Sequence, residues 1–176
     1  DADVADANTV TVNSLSLVNG SNGGVAGNYS LATGQTAAAT IAAKTLSAAA
    51  SANNKTYDGN TTAAGTTLTL SGFVGTETVT ATVNGSTFND ADVADANTVT
   101  VNSLSLVNGS NGGVAGNYSL ATGQTAAATI AAKTLSAAAS ANNKTYDGNT
   151  TAAGTTLTLS GFVGTETVTA TVDGST

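Results

Sequence analysis

The sequence predicts an all-β protein of tandem small β-sandwich modules, Ig-like in character, with β-grasp-like modules as the alternative. Three observations lead there: an 89-residue internal repeat, period-2 alternation of apolar residues within each repeat, and Asn-Gly or Asp-Gly clusters between the alternating runs. The repeat pairs residues 1–87 with 90–176 and differs only where Asn84 becomes Asp173. A period this long lets each unit enclose its own core, unlike the shorter periods of solenoids.

Taken in order, Thr9–Val18 alternates twice, with Val10 and Val12 on one face and then Leu15 and Leu17. Thr66–Gly72 sets Leu68 and Leu70 on one face, and Thr76–Val83 does the same with Val79, Ala81 and Val83. Strands rich in Val and Thr suit a pleated, half-buried surface. Between them, Asn19–Gly24, Tyr57–Asn60 and Val83–Ser86 carry the residues that tolerate tight-turn backbone. Thr36–Ala52 has enough Ala for a helix but no 3.6-residue apolar stripe, so it reads as two strands joined nearly in line. The apolar side chains are few and small, which predicts a thin core and modest stability per module.

Composition narrows function. Of 176 residues none is His, Cys, Met, Trp, Pro or Arg, which removes the commonest general base, thiol nucleophile and soft-metal ligands. An enzyme is not expected. The net charge of −7 with only four lysines excludes the basic surface that nucleic acid needs, and equally disfavours anionic membranes. No apolar run approaches the ~20 residues of a membrane span. Without an initiator Met or signal peptide, the sequence reads as an internal piece of something longer.

The stretch "SANNKTYDGNTTAAG" occurs at Ser51 and again at Ser140. Its Lys55-Thr56-Tyr57-Asp58-Gly59 core, repeated at Lys144, Tyr146, Asp147 and Gly148, reads first as a turn, with Asp bonding amides and Gly at positive φ. A sugar-binding Tyr beside a carboxylate is the rival reading. Together with Gly116-Asn117-Tyr118-Ser119-Leu120, and its copy Gly27–Leu31, this resembles the YDG-type repeat module of giant secreted bacterial adhesins, similar to filamentous haemagglutinins. Thr76-Glu77 stands where that family more usually has Gly-Asp.

The resemblance implies a complete module at residues 43–131. Residues 1–42 would be the closing part of one module and 132–176 the opening part of the next. It implies an extracellular, bacterial cell-surface role as a structural repeat in a filament or adhesin stalk, with no catalytic residues. Identical repeats, or copies of the chain itself, would be the head-to-tail partners. The alternative is a carbohydrate-binding adhesive module with host or surface glycans as partner.

Two further candidates arise from residue chemistry. Asp90, Asp92 and Asp95 with Asn97, repeated as Asp1, Asp3, Asp6 and Asn8, gather hard oxygens suited to calcium. They lack the Gly and terminal Glu of a standard calcium loop, so a solvated acidic turn reads ahead of a metal site. A Lys–Asn crosslink has its parts in Lys44, Lys55 and Glu77, with no motif to bring them together.

Overall fold

Residues 2–176 are described by the computed structural model. They form β1 (Thr9–Thr11), β2 (Thr36–Ala38), β3 (Lys44–Thr45), β4 (Ser47–Ser51), β5 (Lys55–Thr56), β6 (Thr67–Ser71) and β7 (Val79–Phe88). After these come β8 (Thr98–Asn108), β9 (Tyr118–Ser119), β10 (Thr125–Ala127), β11 (Ile130–Ala131), β12 (Ser136–Ser140) and β13 (Thr156–Ser160). Helical structure among the described residues is limited to single 3-10 turns at Ala26–Asn28 and Ala115–Asn117. The chain is all-β, in small sheets.

One sheet has three strands in the order β10-β8-β7, and the rest are pairs. β10 lies antiparallel to β8, with Ala126 opposite Val99. Side-chain bonds Asn84–Ser105 and Asn102–Thr87 run in opposite order along β7 and β8, so this pair is antiparallel too. Two short pairs are parallel: β3 with β9 (Lys44 opposite Tyr118) and β5 with β11 (Ile130 opposite Lys55).

The chain divides into two compact units. The first takes residues 1–49, 68–84 and 104–122, and the second 50–67, 85–103 and 123–176. In the first, Leu46, Val79 and Tyr118 are buried, with Leu70, Phe73, Leu106 and Leu120 packed on them. In the second, Phe88, Val99 and Ile130 pack with Ala63, Ala96 and Ala128. The double alternation seen in the sequence has its reason here. Val99 and Val101 belong to the second unit, and past the change of phase Leu106 belongs to the first. Buried hydroxyls are satisfied: Ser86 donates to the Ala63 carbonyl at 2.8 Å and lies 2.9 Å from Thr66 Oγ1.

Thr36–Ala52 is extended, as expected, but breaks into three strands rather than two. The break follows partners: β2 pairs with β1, β3 with β9, and β4 with β6. Identical sequence also gives different lengths. "TVTVNSLSLVN" is an eleven-residue strand as β8, between β10 and β7, but only three residues as β1, which has β2 alone. The stretch that β7 supplies to β8 has no counterpart before β1 in this sequence. A strand's extent is set by the ladder it can join as much as by its residues.

Candidate functional site

The Lys-Thr-Tyr-Asp-Gly loop is built around one ammonium. Lys55 Nζ donates to Asp58 Oδ1 at 2.6 Å, the Asn60 carbonyl at 2.7 Å, Asn60 Oδ1 at 3.0 Å and the Thr62 carbonyl at 3.2 Å. It also stands 5.7 Å from the centroid of the Phe88 ring. Asp58 Oδ1 accepts the Asn60 N–H, and Asn60 Oδ1 accepts that of Thr62. Gly59 takes φ +79°, which L side chains rarely adopt. The hydrogen bond from Lys55 holds the Asp58 carboxyl below its usual range. The second loop repeats this, with Lys144 on Asp147, Asn149 and Thr151, Gly148 at φ +78°, and Asp147 lowered by Lys144.

The tyrosines of the two loops differ. Tyr57 donates to Glu166 Oε1 at 2.7 Å, and this bond raises its hydroxyl above the usual value. A Cβ on Gly59 would meet Val163 at 3.1 Å and Glu166 Oε1 at 3.7 Å, so the loop is seated on the Val163–Glu166 stretch. Tyr146 is 94% exposed.

The Gly-Asn-Tyr segment is the second half of the picture. Asn117 Oδ1 accepts the Val4 N–H at 2.8 Å while its Nδ2 donates to Asp3 Oδ1 at 2.7 Å. Tyr118, 5% exposed, donates to Glu77 Oε2 at 2.5 Å and accepts the Val74 N–H at 3.1 Å. Its ring meets Phe73 edge-on, at 5.9 Å and 82°. The bond to Glu77 raises its hydroxyl as well. Tyr29, the same residue one repeat earlier, is 70% exposed.

The acidic stretch is a turn. Asp90 Oδ1 accepts the Asp92 N–H at 2.9 Å, and the Asp92 carbonyl accepts those of Asp95 and Ala96. Asn89 closes it, accepting from Asn97 and Thr98 and donating to the Asp95 carbonyl. Among the described residues, no three acidic side chains gather into a group that could hold a metal ion; Asp1 lies outside them. Glu77, the acid of the crosslink candidate, takes the Tyr118 hydroxyl on Oε2.

Sequence reasoning placed the turn but missed Asn89 and Glu166, and saw Glu77 as a crosslink part and as a departure from the family's usual Gly-Asp. The available signal was that each repeat holds a single Glu. No helix among the described residues is long and apolar enough to cross a membrane. No curated protein and no solved structure matches the chain. A family match does exist, and it covers both motifs just described: a YDG domain is detected at residues 42–127.

Proposed function

We propose that the chain is a run of structural repeat units from an extracellular bacterial filament or adhesin stalk, joined head to tail and serving length and spacing rather than catalysis. The module is residues 43–131, a small Ig-like β-sandwich, with 1–42 closing the module before it and 132–176 opening the one after. The observation that carries this is the behaviour of identical side chains. Tyr57 bonds Glu166, past the boundary at 131, whereas Tyr146 has no following repeat in this sequence and is exposed. Likewise Asn117 reaches back across residue 42 to Asp3 and Val4.

Such contacts give consecutive modules a fixed mutual grip, which a spacer needs. The YDG match at 42–127 and the low-charge Thr, Ser and Asn surface support a surface-protein origin. Small-angle scattering on chains of one, two and four 89-residue repeats tests the reading. The maximum dimension should grow linearly with repeat number; a compact four-repeat particle would sink it.

A further inference from the structure

A polar hollow of about 430 Å³ lies at the Lys-Thr-Tyr-Asp-Gly loop, within the second unit. Asn53, Asn54, Lys55, Asp58, Asn60 and Thr62 line it, and Ala64 and Phe88 add apolar surface. The same six polar positions one repeat later, Asn142, Asn143, Lys144, Asp147, Asn149 and Thr151, line another of about 540 Å³. The surroundings of the two loops differ. Asn54 Oδ1 accepts the Thr129 N–H and Tyr57 bonds Glu166, whereas Tyr146 is exposed. A hollow forms in both, so the loop sequence itself shapes it. Tyr57 is turned to Glu166 and takes no part in the lining.

The groups in the hollow divide into those already used and those still open. The Lys55 ammonium is shared among four oxygens and neutralises Asp58. The bonds to Asp58 from Lys55 and from the Asn60 N–H both fall on Oδ1, which leaves Oδ2 to accept from a ligand. Asp147 repeats this with Lys144 and the Asn149 N–H. The carboxamide of Asn53 is held by packing instead. It has no hydrogen-bond partner among the described residues. Its Nδ2 lies 2.6 Å from where a Cβ on Gly65 would sit, so it rests on the bare Cα of a residue at φ +73°. Asn142 rests in the same way on Gly154, at φ +71°, and is likewise without a partner.

We propose that each hollow binds one neutral pyranose ring of a glycan. Neighbouring hydroxyls of the ring divide between Asp58 Oδ2 and the Asn53 carboxamide, and in the second loop between Asp147 Oδ2 and Asn142. A carboxylate only accepts, so it calls for a hydroxyl donor, while a carboxamide both donates and accepts. Adjacent sugar hydroxyls meet both demands. Charge sets the class: the ion pair leaves the hollow without net charge, so a phosphate or uronate would meet Asp58 and an amine would meet Lys55. The volumes fall in the range of small-molecule sites. This site does not rest on the stalk reading. A stalk with such a site in every 89-residue repeat would, however, hold a multivalent glycan far better than one hollow holds one ring.

Saturation-transfer NMR on the whole chain, with methyl glucoside, methyl galactoside and methyl mannoside as separate probes, tests the site. At least one should give a saturable signal with a dissociation constant of about 1–10 mM. Asn53→Ala combined with Asn142→Ala should weaken it at least about tenfold, as expected for losing one to two hydrogen bonds. Neither carboxamide bonds to the protein, so the melting temperature should not change. The near-isosteric pair Asn53→Asp with Asn142→Asp, which replaces the donor by a second acceptor, should weaken binding as much. Absence of a saturable signal from all three probes at about 100 mM would overturn the proposal. So would a signal indifferent to both pairs of substitutions, which would put the sugar elsewhere. A stronger signal from methyl glucuronide that salt removes would show the lysine, not the carboxamide, to be the binding group, and would overturn it too.

Discussion

The backbone carbonyl of Thr78 lies where a Cβ on Gly113 would have to sit, and Gly109 is closed off by the same carbonyl. Gly113→Ala must push the loop off the strand end, so it should cost about 1–3 kcal/mol, the range for overpacking. In the earlier repeat a Cβ on Gly24 meets its own loop, the Ser21 carbonyl at 3.4 Å and Gly20 at 3.9 Å. Gly24→Ala should stay within about 0.5 kcal/mol of the parent. Denaturant unfolding of the two variants side by side checks the contrast.

Tyr118→Phe keeps the ring against Phe73 and removes the hydroxyl between Glu77 and the Val74 N–H. The melting temperature should fall by roughly 4–8 °C, the shift that loss of about one net hydrogen bond gives a module of this size. Tyr29→Phe, at an exposed hydroxyl, should leave it unchanged.

Stability should decline on both limbs of pH for different reasons. Asp58 is held below its usual range by Lys55, so its contribution is present above about pH 4 and lost as pH falls through the lowered folded value. Asp58→Asn should flatten the acid limb. The Tyr118 hydroxyl is raised by its bond to Glu77, so its contribution is complete below about pH 10 and lost as pH climbs through the raised value. Tyr118→Phe should flatten the alkaline limb. Thermal melts across pH read both.

Every pairing of β3 to β11 lies between Lys44 and Ala131. A fragment of residues 43–131 should therefore melt as one cooperative transition. A fragment of residues 1–89 has the same length but loses β8, β9, β10 and β11, and with them the partners of β3, β5 and β7. It should melt broadly or not fold. Two equally sharp transitions would argue against the assigned module phase.

Much of the local structure was legible in the residues. "NGSNGG" announced a turn, and Asn111 and Gly112 take φ of 54° and 84° there. The alternation in Thr98–Asn108 announced a strand, and even its change of phase had meaning. What could not be read was extent and partnership. Nothing in "TVTVNSLSLVN" says that it will be eleven residues long once and three residues long elsewhere, because the difference lies in β7. Glu77 was opaque for the same reason: a lone carboxylate has no pattern, and its partner is 41 residues away. At the acidic stretch the turn was readable: Asp90 Oδ1 takes the Asp92 amide, and the Asp92 backbone carbonyl takes those of Asp95 and Ala96.

The nine residues of the β7–β8 connection, tied by Asn89, bear on how a chain of near-identical repeats avoids pairing with the wrong twin. β7 meets the same sequence in β8 and in the stretch containing β1, and nothing in the side chains tells them apart. Distance along the chain does. Closing the loop to β1 spans 67 residues instead of nine, and the chain-entropy difference is about 2 kcal/mol. The nearer strand is also reached sooner while a long array is still emerging. A short hairpin in each repeat thus supplies the address that the repeated letters cannot.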